Sequence, residues 1–430
     1  MKKTNVLIAG YLLLLICCTA CQVTIKDKVK GYHKNGQLEY IGKQNDKKEK
    51  IGEWKFYYEN GNQKSTVNFI AGIKSGEYIK YYESGAIEEI GTYHNDKATG
   101  SWKYYYENGQ VMGDGQYKDD LATGNWKNYY EDGVLGSAGE YAKDMRTGQW
   151  EMYYTNGKLK AIGKMINDTK TGEWKAYYEN GRIVEMGTYH NDTAIGEWKI
   201  YYENGNQKST INFIAGIKSG EYKTYYESGT IEEIGTYHND TITGNWKKYY
   251  EDEVLESVGE FAKGKRTGKW KINYENGKLK ETGKYNEGEP DGEWKFYYET
   301  GKIKKIGVFK KGKEIGKWKL YYENGTVHQS GNYTDGIKTD EWIEYFENGQ
   351  VKHIGTLSNS NKNGPWKGYY DNGQLAYIGS YENSKEIGEW KYYRENGKIG
   401  RTGYYKNGEK TGEWNLYDED GKLQTTKQYD

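Results

Sequence analysis

From Gly52 the chain reads GEWKFYYENGN, and from Gly196 it reads GEWKIYYENGN. Polar and apolar residues alternate through each stretch, an Asn-Gly pair interrupts it, and the alternation then resumes. Period two is the mark of a half-buried β-strand, and Asn-Gly between two such runs is the strongest short-range hairpin signal. No window shows a 3.6-residue period, and glycine recurs too often for helix. Each stretch therefore predicts one β-hairpin with a two-residue type I′ turn, in which Asn and Gly both take positive φ.

The hairpin repeats without slippage. Trp54, Trp102, Trp126, Trp150, Trp174, Trp198, Trp246, Trp270, Trp294, Trp318, Trp342, Trp366, Trp390 and Trp414 are spaced by 24 or 48 residues, and Tyr78 and Tyr222 fill the two vacant slots. Sixteen 24-residue units follow, preceded by a degenerate unit, YHKNGQLEYIG, one residue out of step. Longer echoes begin at Asn60 and Asn204, and at Val134 and Val254, as expected where whole units are gained or lost and each touches only its neighbours.

Counting from the tryptophan as zero, tyrosines fall at three and usually four, Asn or Asp at six, Gly at seven, an aliphatic residue at nine, Gly at thirteen and an aromatic residue at fifteen. A two-residue turn sets position four opposite nine, three opposite ten, and the tryptophan opposite the glycine at thirteen. The tryptophan, second tyrosine, aliphatic residue, glycine and late aromatic then share one face. Lysine, the first tyrosine and often isoleucine share the other. An indole opposite a glycine can lie across the strand where no side chain competes. Val67 and Ile211 replace that glycine, and the following units carry Tyr78 and Tyr222 in place of tryptophan, so a local change of packing is expected there. The second connection, such as KDMRTG before Trp150, reads as a polar turn of about four to six residues whose glycine, Gly148, is left-handed or bulged. Glu253 replaces a turn glycine and Asp340 a connector glycine. Arg394 and Asp418 replace the second tyrosine, and the last unit reads as a polar cap. The fold expected is all-β: an extended array of antiparallel hairpins over residues 31–430, forming one long twisted sheet.

Composition supports this. The chain has 430 residues, with 47 Tyr, 58 Gly and only 2 Pro. Aromatic side chains suit a thin pleated sheet better than a thick aliphatic core. Lys+Arg and Asp+Glu each total 62, which leaves no basic excess for nucleic acid. The N-terminus reads as an address: MKK, then an apolar run from Val6 to Cys18, too short to span a membrane, then CTAC. It resembles a bacterial lipobox, with Cys18 where leucine is more usual. Residues 1–20 are thus expected to be a lipoprotein signal peptide, and residues 21–30 a lipidated Cys21 and its tether. Cys17, Cys18 and Cys21 are the only cysteines, so the mature chain offers no disulfide, CxxC metal site or cysteine nucleophile.

The unit G-x-W-K-x-Y-Y-E-N-G-x-[LIV] followed by G-x-Y resembles the variant MORN repeat, and is similar to the bacterial YwqK group of antitoxins, over Tyr32 to Asp430. The resemblance implies an extended hairpin array that binds proteins or lipids and organises assemblies, with no enzymatic activity. Choline- and glucan-binding wall repeats also combine Trp, Tyr-Tyr and Asn-Gly, but they start with adjacent Gly-Trp and have a shorter period.

Chemistry-bearing motifs are absent: no HExxH, GxSxG, dinucleotide fingerprint or P-loop occurs, and GKRTGKW from Gly264 lacks the Ser/Thr that follows a P-loop lysine. Glu59 and its repeats read as solvated turn charges. His94, His190 and His238 stand in TYHND, on units too far apart to share an ion. No catalytic residue, cofactor or metal is expected. The candidate binding surface is the first-tyrosine row, Tyr57, Tyr81, Tyr105, Tyr129, Tyr153, Tyr177, Tyr201 and their successors, where many weak equivalent sites would bind by avidity. The reading is a non-catalytic lipoprotein of the bacterial envelope, at the outer membrane or cell surface, scaffolding protein–protein interaction or adhesion. Its alternatives are a binder of glycan or cell-wall polymer, and an antitoxin neutralising a partner toxin. Partners expected are a protein or a wall glycan, and the membrane through the N-terminal lipid, with no nucleic acid.

Overall fold

The computed structural model describes residues 28–430. The signal segment, Cys21 and the lipidation expected there lie outside the described residues. The described residues form 35 strands and no helix. Glu289–Pro290 and Gly292–Tyr297 stand where every other unit has one strand, because Pro290 lacks the N–H a ladder needs. With that pair counted once, the strands make a first hairpin, Val29–Tyr32 with Leu38–Gln44, and sixteen more. The first strand begins inside the stretch read as tether. The chain divides into two compact units, Met1–Gly172 and Glu173–Asp430. Within each, successive strands pair antiparallel in chain order, as Lys50–Tyr57 does with Gln63–Ile70 and Lys313–Tyr321 with Val327–Thr334.

The Asn-Gly turn is not the type I′ turn expected. Gly61 N–H donates to Tyr58 O (3.0 Å), Tyr58 N–H donates to Asn62 O (2.8 Å), and of the Asn60–Gly61 pair only Gly61 has positive φ, at 90°. This is the three-residue hairpin loop, a type I turn closed by a left-handed glycine. Asn60 serves it through its side chain, whose Oδ1 accepts from Asn62 N–H at 2.9 Å. The strands then reabsorb the extra loop residue. Tyr57 pairs with Gln63 but Phe56 with Ser65, so Lys64 is bulged, and Trp54 still arrives opposite position thirteen. The aliphatic residue at nine therefore faces the first tyrosine, not the second, and lies on the tyrosine's side of the sheet rather than the tryptophan's. The doubly left-handed two-residue turn occurs at the other connection, shorter than expected: Asn95 and Asp96, at φ 53° and 64°, join Ile87–His94 to Lys97–Tyr105. Gly148 is left-handed, at φ 68°, beside a register shift between Ala138 and Glu140 on the neighbouring strand.

Glu253 and Asp340 occupy left-handed positions that other units give to glycine, at φ 66° and 61°. The left-handed region costs an L-residue about 1–2 kcal/mol, partly offset by the greater freedom of unfolded glycine. Glu253→Gly should raise the denaturant midpoint of its unit by an amount worth about 0.5–1 kcal/mol. Asp340→Gly should do less, since Asp tolerates this region. An unchanged midpoint for Glu253→Gly would contradict the strain.

Packing is carried by the indoles. No tryptophan is more than 8% exposed. Trp102, Trp126, Trp270, Trp294, Trp318, Trp342, Trp366 and Trp390 each pair with a glycine thirteen residues on. Within each unit the indole that covers the glycine, however, comes from the following hairpin, not from the tryptophan thirteen residues before it. A β-carbon added to Gly283 would stand 2.2 Å from Trp294, and one on Gly307 2.0 Å from Trp318. Several covering indoles also donate N–H to the carbonyl just after that glycine, as Trp294 does to Lys284 O (3.1 Å) and Trp342 to Asn332 O (3.1 Å). Within each unit these tryptophans thus fasten their hairpins to the ones before. The exceptions obey the same rule. Val67 pairs with Tyr78 and Ile211 with Tyr222, where the smaller ring leaves room for a side chain. Lys427 stands opposite Trp414.

Candidate binding face

The two tyrosines of each unit do different work. The second is a fastener between hairpins. Tyr58, Tyr82, Tyr106, Tyr298 and Tyr322 each donate O–H to the carbonyl of the next unit's first tyrosine, at 2.6–2.8 Å. Where Arg394 replaces tyrosine, its guanidinium donates to Tyr417 O at 2.8 Å. In the degenerate first unit His33 Nε2 meets Tyr57 O at 2.9 Å. The turn asparagines add a parallel row, with Asn60 Nδ2 donating to Glu83 O (3.0 Å) and Asn324 Nδ2 to Glu347 O (3.1 Å). At the opposite rim the turn aspartates reach back: Lys74 N–H donates to Asp96 Oδ1 and Ala98 N–H to Asp120 Oδ1, both at 2.7 Å. Alternation within one hairpin does not reveal these contacts, because they join residues 21–24 apart. The recurrence of Tyr-Tyr and Asn at fixed places in most units was the available signal. Tyr298→Phe should cost about 1 kcal/mol, the net worth of one hydrogen bond. Faster amide exchange in Lys313–Tyr321 would register it, and unchanged exchange there would argue that the bond contributes nothing.

The first tyrosines form the candidate surface. Tyr57, Tyr81, Tyr105, Tyr129 and Tyr153 in the first unit, and Tyr177 and Tyr201 in the second, are all half-buried rather than exposed. Most pack across from the position-nine residue: Tyr81 opposite Ile87, Tyr105 opposite Val111, Tyr129 opposite Leu135 and Tyr153 opposite Leu159. Aromatic–aliphatic pairs of this kind stabilise antiparallel sheets. Part of each ring is therefore committed to the fold, and what remains for a partner is its other side and its hydroxyl. Burial raises the Tyr129 hydroxyl pKa, with nearby Asp114 adding to it. Tyr153 O–H donates to Glu151 at 2.5 Å, a bond that pushes its pKa up to about 12. Both stay protonated hydrogen-bonding groups at neutral pH.

The rest of this face is charged and regular. The residue before each tryptophan, or before the tyrosine in its slot, and the one after it lie on the tyrosine side, and several of these are Glu and Lys paired at 3.0–3.5 Å: Glu53–Lys55, Glu197–Lys199, Glu221–Lys223 about Tyr222, Glu293–Lys295 and Glu389–Lys391. The pattern breaks around Trp270. Lys269 pairs directly opposite Lys284, and Lys247, Lys271, Lys317 and Lys319 extend the basic stretch on either side. His94, His190 and His238 are exposed beside the connector turns. Among the described residues no group of three or more His, Cys, Asp or Glu could hold a metal ion.

On the tryptophan face, units differ from one another chiefly at positions two and eleven. Phe56 and Tyr104 stack on Trp54 and Trp102, whereas at Gly368 the Tyr377 ring lies over the strand, 2.1 Å from where a β-carbon would stand. These positions escaped notice as candidates because their variety hides them in the repeat.

The family model described as "MORN repeat variant" matches residues 50–71, 74–95, 98–119, 146–167, 170–191, 195–215, 218–239, 266–287, 290–311, 314–335, 341–359, 362–383, 386–407 and 410–430. The two units it passes over contain Trp126 and Trp246, which keep their places in the period. A search of curated proteins finds no relative. Among solved structures the chain aligns with the crystal structure of TcdB2-TccC3-Cdc42 at 11% identity and TM-score 0.16, over 92% of this chain and 27% of the other. It aligns with the Photorhabdus luminescens Tc holotoxin pore at 10% identity and TM-score 0.13, over 92% and 29%. The chain thus spans under a third of the length of the solved chains it matches. At such TM-scores the likeness carries no argument about this chain.

Proposed function

Because the chain belongs to the MORN repeat variant family, a scaffold of near-identical hairpins rather than a fold built round one cleft, we propose that it is a non-catalytic scaffold that holds a protein partner on its tyrosine face. The reading includes export and anchoring at the bacterial envelope through Cys21. One observation carries it: every full unit except that of Trp270, where Asn273 takes the place, presents the same half-buried first tyrosine, several of them beside a Glu–Lys pair, so a partner engaging several units gains avidity from weak contacts. Tyrosine suits such contacts, offering area and a polar tip at low entropic cost.

The test is recovery of partners from envelope extracts and host-cell surfaces on residues 28–430, with Tyr81, Tyr105 and Tyr129 all changed to Ser in parallel. The reading expects a protein retained by the parent and lost by at least about tenfold in the triple variant, with an unchanged circular dichroism spectrum. Retention of polysaccharide alone would overturn it.

A second reading, binding of an acidic wall polymer, is favoured by the opposed Lys269–Lys284 pair and its flanking lysines. Like charges facing each other across a sheet are destabilising unless an anion bridges them. It expects salt-sensitive retention on purified wall polysaccharide, weakened by Lys269→Ser with Lys271→Ser.

A further inference from the structure

On the tryptophan face of the second unit a cavity of about 510 Å³ opens between Trp342 and Trp366. Its volume falls in the ~300–1,000 Å³ range of small-molecule sites. In the surrounding hairpins the ring at position fifteen wedges edge-on between two indoles: Tyr333 lies 5.9 Å from Trp318 and 5.3 Å from Trp342, and Tyr381 lies 6.1 Å from Trp366 and 5.1 Å from Trp390. At Leu357 the second unit has its one non-aromatic residue at this position, so no ring fills the gap.

The charges round the gap are also distinctive. In the first unit Arg146 is neutralised by the turn residue Asp168 at 2.9 Å. The equivalent turn residues for Lys338 and Lys362 are Ser360 and Ser384, whose hydroxyls accept from the lysines' backbone N–H groups at 3.3 and 3.1 Å. Neither ammonium has a carboxylate partner among the described residues. Lys338 reaches Gln329 Oε1 at 3.4 Å and lies 4.0 Å over the Trp342 ring, and Lys362 lies 4.7 Å over Trp366. Burial lowers the Lys338 pKa, against the opposing pull of Glu344. Two carboxylates line the same cavity. Glu344 is held by Lys352 at 3.1 Å, while Glu386 makes no ion pair among the described residues. His353 Nδ1 meets Tyr377 O–H at 3.1 Å, and burial lowers its pKa.

We infer that this cavity binds a zwitterionic small molecule of amino-acid to dipeptide size, its carboxylate meeting Lys338 and Lys362 and its ammonium meeting Glu386. The site is independent of partner binding on the tyrosine face, and either can fail alone. The test is a titration of residues 28–430 with alanyl-alanine, followed by the fluorescence of Trp342 and Trp366 and by calorimetry, against acetate and methylammonium as half-ligands. The dipeptide should saturate one site, and each half-ligand should bind at least about tenfold more weakly. Leu357→Tyr, which restores the ring of neighbouring hairpins, should abolish binding while keeping the β-sheet spectrum. Lys362→Met should weaken it at least about tenfold without filling the cavity. Failure of the dipeptide to saturate, acetate binding as tightly as the dipeptide, or full binding by both variants would each overturn the inference.

Discussion

Gly307→Val is expected to destabilise its part of the array by about 3 kcal/mol, the upper end of the cost of overpacking. The β-carbon it adds would stand 2.0 Å from Cδ2 and 2.2 Å from Cε2 of Trp318, an indole with 0% exposure. That indole cannot swing away cheaply. Phe309 meets it edge-on at 5.1 Å, Tyr333 at 5.9 Å, and the Lys305 ammonium lies 4.3 Å over its ring. The hairpin must therefore part from its predecessor or push the indole out into water. Valine's preference for strands runs the other way, but the whole β-propensity scale spans only ~1 kcal/mol. Guanidinium unfolding followed by tryptophan fluorescence reads the loss. A midpoint within error of the parent would mean that the covered glycine is not a packing requirement.

Trp270→Ala is expected to cost about 4–5 kcal/mol, the upper part of the range for removing a large core aromatic. Trp270 is 1% exposed, and its N–H donates to Glu260 O at 3.2 Å and Thr267 O at 3.1 Å. The Arg266 guanidinium stacks 4.4 Å above it, and Phe261 lies edge-on at 5.2 Å. Truncation leaves a cavity, two unanswered carbonyls and an exposed strand at Gly259. Units that touch only their neighbours should confine the damage. Amide exchange should accelerate in Leu255–Ala262 and Lys265–Asn273 and stay unchanged in Ile399–Lys406. Equal acceleration in both places would show that the second unit opens as a whole.

The fold was legible because the repeat states it many times. Period, hairpins and the pairing of tryptophan with glycine all follow from alternation. The turn did not, although the pairing came out right. A type I′ loop was inferred from Asn-Gly, but Asn60 works through its side chain, and the residue added by the longer loop is taken up at Lys64, so two departures cancel before Trp54. That cancellation moved the aliphatic residue at nine to the tyrosine's side. The covering indole was missed for a related reason: alternation ranks partners within a hairpin, whereas a strand inside a sheet has two neighbours. The signal lay in Val67 with Tyr78 and Ile211 with Tyr222, where glycine and the next tryptophan change together. Of the binding face, the tyrosine row was legible, but its partial burial was not, since that depends on which residue lies across the bulge. The cavity hung on Leu357, one departure in a column of rings.

The claim that, within a unit, a tryptophan lies on the glycine of the hairpin before it is tested most directly by the cycle of Gly307→Val, Trp318→Tyr and the double variant, which rebuilds the Val67–Tyr78 junction at a new place. The account predicts a favourable coupling of about 1–3 kcal/mol, with the double variant more stable than Gly307→Val alone. Two losses that simply add would contradict it.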